Sequence, residues 1–276
     1  MFELPEYITL AKQINTTLTG KTITSGQLGN SPHKFVWYNR EPEAFEKLTQ
    51  GKLVGEAWVQ GRWLFIPLEP GYVLLFGECG GKILYHLPGS ELPKKYHLYI
   101  TFEDDSFLTA TTQMWGAYEL YEKGAEQNRE YVKGMRTTPV EPAFTDDYFF
   151  ALIDELIEGK KRSAKSLLTQ DQIIPGLGNA IAQDILFQAR LHPRHPISDL
   201  DLEQRRTLYK SIVNTVDMVI KQGGRYDEYD LFNNRGGYIR LMDKNAVGRP
   251  CPECGGEIEK IQYLGGACYL CSNCQS

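Results

Sequence analysis

The chain has 276 residues, 42% of them hydrophobic and 24% charged, with a formal net charge of −5. That length and composition suit a globular protein of two or three compact units and exclude a disordered chain. The acidic balance gives no electrostatic signature of nucleic-acid binding, so any such contact must rest on local patches. By segment, 14 basic residues stand against 18 acidic over 1–146, 10 against 10 over 147–222, and 6 against 7 over 223–276. The longest apolar runs, such as Val73 to Phe76, are too short to span a bilayer, so no membrane association is expected. The first thirty residues carry Glu3, Glu6, Lys12 and Lys21, which argues against a secretory signal and for a cytoplasmic chain, expected to be a monomer.

In chain order, Tyr7, Leu10, Ala11, Ile14 and Leu18 recur at helical spacing, which predicts a helix over 5–18 with Pro5 in its first turn. From about 53 to 122 the pattern becomes short strands separated by turn residues: LVGEAWV, RWLFIPL, YVLLFG, KILYH, YHLYITF, SFLTA and MWGAYELYE. Strands at this spacing predict a β-sandwich or barrel. Cys79, alone in an apolar neighbourhood, reads as a packed, inert thiol. A proline-containing connector, RTTPVEPAFTDDY, leads to helices predicted at Tyr148–Leu156, Ala164–Leu168, Asn179–Leu191 and Asp201–Lys221. Gly223-Gly224 stops the last of these. The fold class is therefore α+β and multidomain: a β-sandwich with an initial helix over 1–133, a linker over 134–146, a helical domain over 147–224, and a small C-terminal domain over 225–276.

Five of the six cysteines fall in the last 26 residues. Cys251-Pro-Glu-Cys254 and Cys271-Ser-Asn-Cys274 form two C-x-x-C knuckles separated by sixteen residues, the spacing of a zinc ribbon. Four soft thiolates favour zinc and leave no open position, so the site is structural and contributes on the order of 10 kcal/mol to local folding. A redox dithiol or scattered free cysteines are the alternative. Cys268-Tyr-Leu-Cys271 is a competing C-x-x-C, and the pair Cys271 and Cys274 is preferred because it leaves a longer hairpin.

MFELPE at the start, a β-sandwich, a helical segment containing Pro175-Gly-Leu-Gly-Asn179, and a four-cysteine finger ending in CQ resemble, in that order, the formamidopyrimidine-DNA glycosylase and endonuclease VIII family. The resemblance covers essentially the whole chain. It implies a helix-two-turns-helix element over PGLGNAIAQDILFQARLHPRHP and a DNA-repair activity, base excision with abasic-site lyase chemistry. It also implies an N-terminal proline, exposed by removal of the initiator, as the nucleophile that forms a Schiff base at C1′, with the neighbouring Glu moving protons. Here Glu3 is kept and Phe2 stands where the proline belongs. A bulky second residue prevents initiator removal, so Met1 is expected to remain. The Met1 amine is a candidate substitute nucleophile, one residue and up to about 3.8 Å further from Glu3 than the family arrangement has it. Acids at Glu3 and Glu6 also suit a helix N-terminus without any catalytic role.

Further departures fall at the family's DNA contacts. Arg62 takes the place of a catalytic or phosphate-binding lysine, and cannot easily act as an amine. Glu78 stands where an intercalating methionine is common, and Met114-Trp115 where an Arg-Phe pair fills the vacated duplex. Trp115 reads either as a wedge or as a buried sandwich aromatic. Gly266 takes the place of the finger arginine. The phosphate grip is retained: Lys165 and Asn179 match the family's contacts, Gly176 and Gly178 permit close backbone approach, and Arg249 precedes the finger. Lys160-Lys161-Arg162 adds charge, or is a solvated helix end. Such contacts position a protein without reading sequence. Duplex DNA, damaged or abasic, is the expected partner, with altered or weakened catalysis. A non-enzymatic binder of structured RNA on the same scaffold is the alternative, and a zinc-ribbon protein without nucleic-acid contacts a third.

Overall fold

A computed structural model describes residues 1–276. The chain forms two compact units, one of residues 1–135 with 220–238, the other of residues 136–219 with 239–276.

The first unit begins with helix α1, Leu4–Thr17, capped at Glu3, whose N–H donates to Glu6 Oε2 at 2.8 Å. Strands β1 (Ile23–Leu28) and β2 (Val36–Tyr38) and helix α2 (Pro42–Thr49) follow. Then come β3 (Leu53–Val54), β4 (Trp58–Gln60), β5 (Trp63–Glu69), β6 (Tyr72–Gly77), β7 (Gly81–His86), β8 (Leu98–Phe102), β9 (Phe107–Thr112) and β10 (Gly116–Glu122). Four strands form one sheet in the order β1-β8-β9-β7, and a second runs β2-β10-β6-β5-β3 with β4 also on β5. All pairs are antiparallel except β2 with β10.

The period-two alternation of β5 and β6 fixes the layers. Leu64, Ile66, Leu74 and Phe76 enter the main core with Ile83, Leu98, Ile100 and Leu108 of the other sheet and Tyr7, Leu10 and Ile14 of α1. Trp63, Phe65, Val73 and Leu75 face the opposite way and pack with Ala117 and Val132. β5 is thus buried on both faces, which is why its sequence reads as a continuous apolar run rather than an alternating one.

The second unit contains α3 (Asp146–Ile157), α4 (Ala164–Thr169), α5 (Asn179–Gln188), most of α6 (Leu202–Lys221), and the hairpin β11 (Glu259–Tyr263) with β12 (Gly266–Leu270). A reciprocal Ser163–Ser166 cap starts α4. The buried Asp184 carboxylate of α5 accepts the N–H groups of Leu241 and Met242, tying this helix to the chain ahead of the finger. α5 ends three residues before the Leu191 expected from sequence, because Arg190 turns into the left-handed region at φ 57°.

The division of the chain differs from the one read from sequence. Residues 225–238 belong to the first unit and not to the finger. They carry no helix or strand, yet Leu231 is fully buried in the sandwich core, its N–H donates to Gln13 Oε1 at 2.9 Å, and its carbonyl accepts from Tyr85. Residues 136–146, read as a linker, belong to the second unit: Arg136 forms a two-pronged pair with Glu155, and the Phe144 carbonyl accepts from the Tyr209 hydroxyl. No helix is long and apolar enough to cross a membrane.

Candidate functional site

In the first unit, every early feature of the chain follows from where Phe2 goes. Its side chain is fully buried in the main core, edge-on to Tyr7 with ring centroids 5.6 Å apart. Its N–H donates to the Cys79 carbonyl at 2.8 Å, and the Tyr7 hydroxyl accepts from the Cys79 N–H at 2.9 Å. Met1 is thereby carried out of the core, and its amine meets Glu228 Oε1 at 2.8 Å.

Beneath it lies a buried charge cluster centred on Arg225. The guanidinium donates to both Glu6 oxygens, at 3.0 and 2.9 Å, and to the Met1 carbonyl at 2.8 Å, while the Arg225 N–H gives Glu6 Oε1 a further bond at 3.0 Å. Glu3 Oε1 lies 3.8 Å and Glu228 Oε1 3.5 Å from the same group. Burial alone would push the Glu6 carboxyl up; the Arg225 charge and hydrogen bonds outweigh it and hold the carboxyl below its ordinary value. Burial likewise works against the Arg225 charge, and the surrounding carboxylates raise its pKa nonetheless. Sequence reasoning found Glu3, Glu6 and Met1 but missed Arg225 and Glu228. They lie more than two hundred residues away in an aperiodic loop, and the only local cue is the Gly223-Gly224 stop that precedes them.

Cys79 is buried as expected, and burial pushes its thiol up to about 12, which leaves it inert. Arg62 pairs with Glu78 at 2.8 Å and reaches the Met1 Sδ at 3.8 Å, so it stands beside the N-terminal residue. Glu78 is pushed up by burial, against the pull of Arg62 and Arg129. Trp115 is 40% exposed, not a buried sandwich aromatic, and Met114 is exposed with it.

Two cavities of the first unit share Met1 in their walls. One, of about 670 Å³, is lined by Trp37, Trp63, Trp115 and Tyr131 with the pairs Arg62–Glu78 and Arg129–Glu119. The other, of about 180 Å³, is polar, with Lys82, Asp227, Glu228 and Arg235.

In the second unit the sequence-predicted grip residues gather at the finger hairpin. Lys165 is buried, and its ammonium donates to the Tyr263 carbonyl at 2.7 Å. Asn179 opens α5, and its amide donates to the Ala267 carbonyl at 3.2 Å, where Gln183 donates as well. A Cβ at Gly266 would stand 3.4 Å from Asn179 Oδ1 and 3.5 Å from Lys165 Nζ, so all three residues converge on one patch. Lys165 is a hairpin anchor first, a role the sequence did not suggest. Gly176 occupies the left-handed region at φ 93°, whereas Gly178, the N-cap of α5, is extended at φ −136°, a conformation open to any residue. Arg249, Lys160 and Lys161 are exposed, and Arg162 pairs with Asp171.

The sulfurs of Cys251, Cys254, Cys271 and Cys274 lie within 4.8 Å of one another. The Cys251–Cys274 and Cys254–Cys271 separations are 3.8 and 3.5 Å. A tetrahedron of sulfurs about 2.3 Å from a central ion has edges of about 3.8 Å, so the four thiols fit a thiolate-bound metal. Cys268 is not among them: it is fully buried on β12 opposite Ile261.

Residues 1–133 match the family model described as the formamidopyrimidine-DNA glycosylase N-terminal domain, and residues 137–228 the one described as the H2TH domain of the same glycosylase. The chain is 29% identical to a formamidopyrimidine-DNA glycosylase of Lactobacillus delbrueckii subsp. bulgaricus, covering 100% of this chain and 99% of that one. It is 27% identical to that of Bacillus licheniformis over the same shares. Among solved structures, the Lactococcus lactis Fpg in complex with DNA containing an abasic site superposes with a TM-score of 0.86 at 23% identity, over 99% of each chain, and so shares the fold. With both domain models matched in order and a four-cysteine cluster behind them, the chain belongs to the formamidopyrimidine-DNA glycosylase family.

Proposed function

We propose that this protein binds damaged or abasic duplex DNA and acts as a glycosylase and abasic-site lyase whose nucleophile is the retained Met1 amine, with altered and weakened catalysis. The observation that carries the reading is the pair of anchors around the N-terminus: Phe2 locked in the core, and Met1 held at a cavity wall against Glu228. The relatives named above are DNA glycosylases, and the Lactococcus lactis Fpg was crystallised on abasic DNA, which supports DNA as the partner.

The chemistry asks four things of these residues. The Met1 ammonium must lose a proton before it attacks, and the Glu228 carboxylate is the acceptor within hydrogen-bond reach. Nitrogen then bonds to C1′ of the opened abasic sugar, and water leaves as the imine forms. Glu3, buried beside Arg225, is the second proton carrier. Arg225 grips the Met1 carbonyl and so fixes the direction of the amine. Arg62, Lys165, Gly178, Asn179 and Arg249 position the backbone, and the four thiolates hold a structural zinc ion. Weakened catalysis follows because the amine is displaced by one residue and engaged by a carboxylate it must first release.

Borohydride trapping on duplex DNA with one abasic site tests this. A covalent adduct on the Met1 peptide is expected, with Glu228→Gln reducing its rate by about a hundredfold. Intact binding without an adduct would reject the lyase chemistry. Structured RNA displacing the duplex at fixed salt would reject DNA as the partner.

A further inference from the structure

The loop over 225–238 carries Arg225 and Glu228, and no helix or strand holds it in one shape. The chain itself closes its neck: the Tyr238 N–H donates to the Gly224 carbonyl at 3.0 Å, and the Tyr226 N–H to the Tyr238 carbonyl at 2.8 Å. Gly236 lies against that crossing, where a Cβ would stand 2.2 Å from the Gly224 oxygen. Closing the neck still leaves the tip free to swing unless something outside the loop fastens it.

The tip is a turn built by Asp230. Its Oδ1 accepts the N–H groups of Phe232 and Asn234 at 2.9 and 2.7 Å, and the Asp230 N–H donates to the Asn234 carbonyl at 2.9 Å. Asn233 occupies the left-handed region at φ 64°, which asparagine tolerates. Gln13 fastens this turn to helix α1. Its Nε2 donates to Asp230 Oδ2 at 2.9 Å, and its Oε1 accepts the Leu231 N–H at 2.9 Å. A primary amide suits the position because it presents donor and acceptor side by side. A carboxylate there would repel Asp230, and an ammonium could not accept from Leu231. Strand β7 adds Lys82, whose ammonium donates to Asn233 Oδ1 at 2.7 Å and lies 3.7 Å over the Tyr229 ring.

Glu228 stands between neck and tip, two residues before Asp230. Two residues span at most about 7 Å, so a tip that shifts carries Glu228 with it. The contact at stake is the 2.8 Å bond between Glu228 Oε1 and the Met1 amine. A misplacement of about 1 Å between reacting groups lowers a rate by up to about a hundredfold. We propose that Gln13 is a positioning residue for the chemistry at Met1: by fastening Asp230 and Leu231 to α1, it keeps Glu228 at the amine before any substrate arrives. The clasp rests on geometry alone, and its bearing on catalysis rests on the reading of Met1 as nucleophile and Glu228 as its proton acceptor.

Two variants of the full-length protein test this. Gln13→Glu keeps an acceptor for Leu231 and sets a carboxylate against Asp230, which breaks the clasp at its polar half. Adding Asp230→Asn restores a donor–acceptor pair with its direction reversed: the amide nitrogen at 230 donates to the carboxylate at 13, and the amide oxygen keeps the Phe232 and Asn234 N–H groups. The exposed Asn234 amide, which donates to Asp230 Oδ2 at 3.2 Å, turns over to accept.

Hydrogen exchange read by mass spectrometry, without DNA, follows the peptide over 226–238. It should quicken by on the order of tenfold in Gln13→Glu and return towards wild type in the double variant. Single-turnover borohydride trapping at saturating abasic duplex follows the chemistry. Its rate constant should fall by on the order of tenfold in Gln13→Glu and recover in the double variant, with duplex affinity by anisotropy changed less than about twofold. A merely structural role lowers the amount of adduct, through the fraction of folded protein, without moving the rate constant. Unchanged exchange in Gln13→Glu overturns the clasp. A quickened loop with an unchanged rate constant overturns the positioning role, as does a double variant that fails to recover. Failure of the underlying reading looks different: the wild type itself then forms no adduct, and the positioning role falls with it while exchange still reports the clasp.

Discussion

Replacing Arg225 with Met tests whether the N-terminus is organised by one buried cation. The Arg225 side chain is 4% exposed, and Glu6, its principal partner, is 3% exposed. Methionine keeps much of the volume and removes the charge together with five side-chain contacts: two to Glu6, one to the Met1 carbonyl, and the weaker approaches to Glu228 and Glu3. Taking away one member of a buried pair leaves the other charge uncompensated, at a cost of about 3–5 kcal/mol. All four tryptophans, at 37, 58, 63 and 115, lie in the first unit, so urea unfolding followed by tryptophan emission reads that unit alone.

The pH dependence gives a second reading of the same cluster. In the wild type the Glu6 carboxyl sits below its ordinary value of 4.5, so its contribution is complete above that pH and fades as pH falls through the lower folded value. Without the Arg225 charge and side-chain bonds, desolvation, the largest influence, is opposed only by the backbone N–H groups of residues 3 and 225, and the carboxyl moves up. The penalty is then full at neutral pH and shrinks on acidification. The gap between wild type and variant should therefore narrow from about pH 7 to about pH 4.5. Glu6→Gln in the Arg225→Met background should recover about 2 kcal/mol or more by removing the stranded charge. A loss below about 1 kcal/mol, or a gap that ignores pH, would refute the electrostatic account of this cluster.

Phe2→Pro should not simply restore a family-type terminus. It removes a fully buried ring from the core, and should cost the first unit about 3–5 kcal/mol in the same urea assay. Cys271→Ser should abolish stoichiometric zinc binding, measured by metal analysis of the purified protein, whereas Cys268→Ser should retain it. Gly77→Ala should destabilise the first unit by about 1–3 kcal/mol, because a Cβ there would overlap the buried Trp63 ring.

Sequence periodicity located what local patterns control. The strands from Trp63 to Glu122 and the helices of the second unit lie close to their predicted spans, because alternation and capping act over a few residues, whereas the strand expected over 53–59 is broken into β3 and β4. Residues 19–52 gave no prediction, and there β1, β2 and α2 form. β1 has a burial pattern that misses strict alternation, and β2 is three residues long and parallel to β10, a pairing that no local signal carries. The cysteine spacing identified the metal cluster, since its ligands come in two short knuckles. The charge cluster at the N-terminus was legible only by half. Glu3 and Glu6 stand in a recognisable opening motif, while Arg225 and Glu228 reach it through a loop that shows neither helical nor strand period.

The same loop explains why the family's opening can survive a change at its second residue. Proline in that position would offer its nitrogen as the free end of the chain. Phenylalanine instead gives its N–H to Cys79 and its ring to the core, so position 2 becomes an anchor. An anchored second residue leaves the first one to carry the chain's terminal amine, and a free end is conformationally costly to hold in one place. Arg225 supplies the restraint through the Met1 carbonyl and Glu228 through the amine, 2.8 Å each. Both restraints come from the stretch that follows Gly223-Gly224, so the identity of residue 2 and the residues of that loop are coupled. A change to proline at position 2 without a matching change at Glu228 would leave that carboxylate without its ammonium partner.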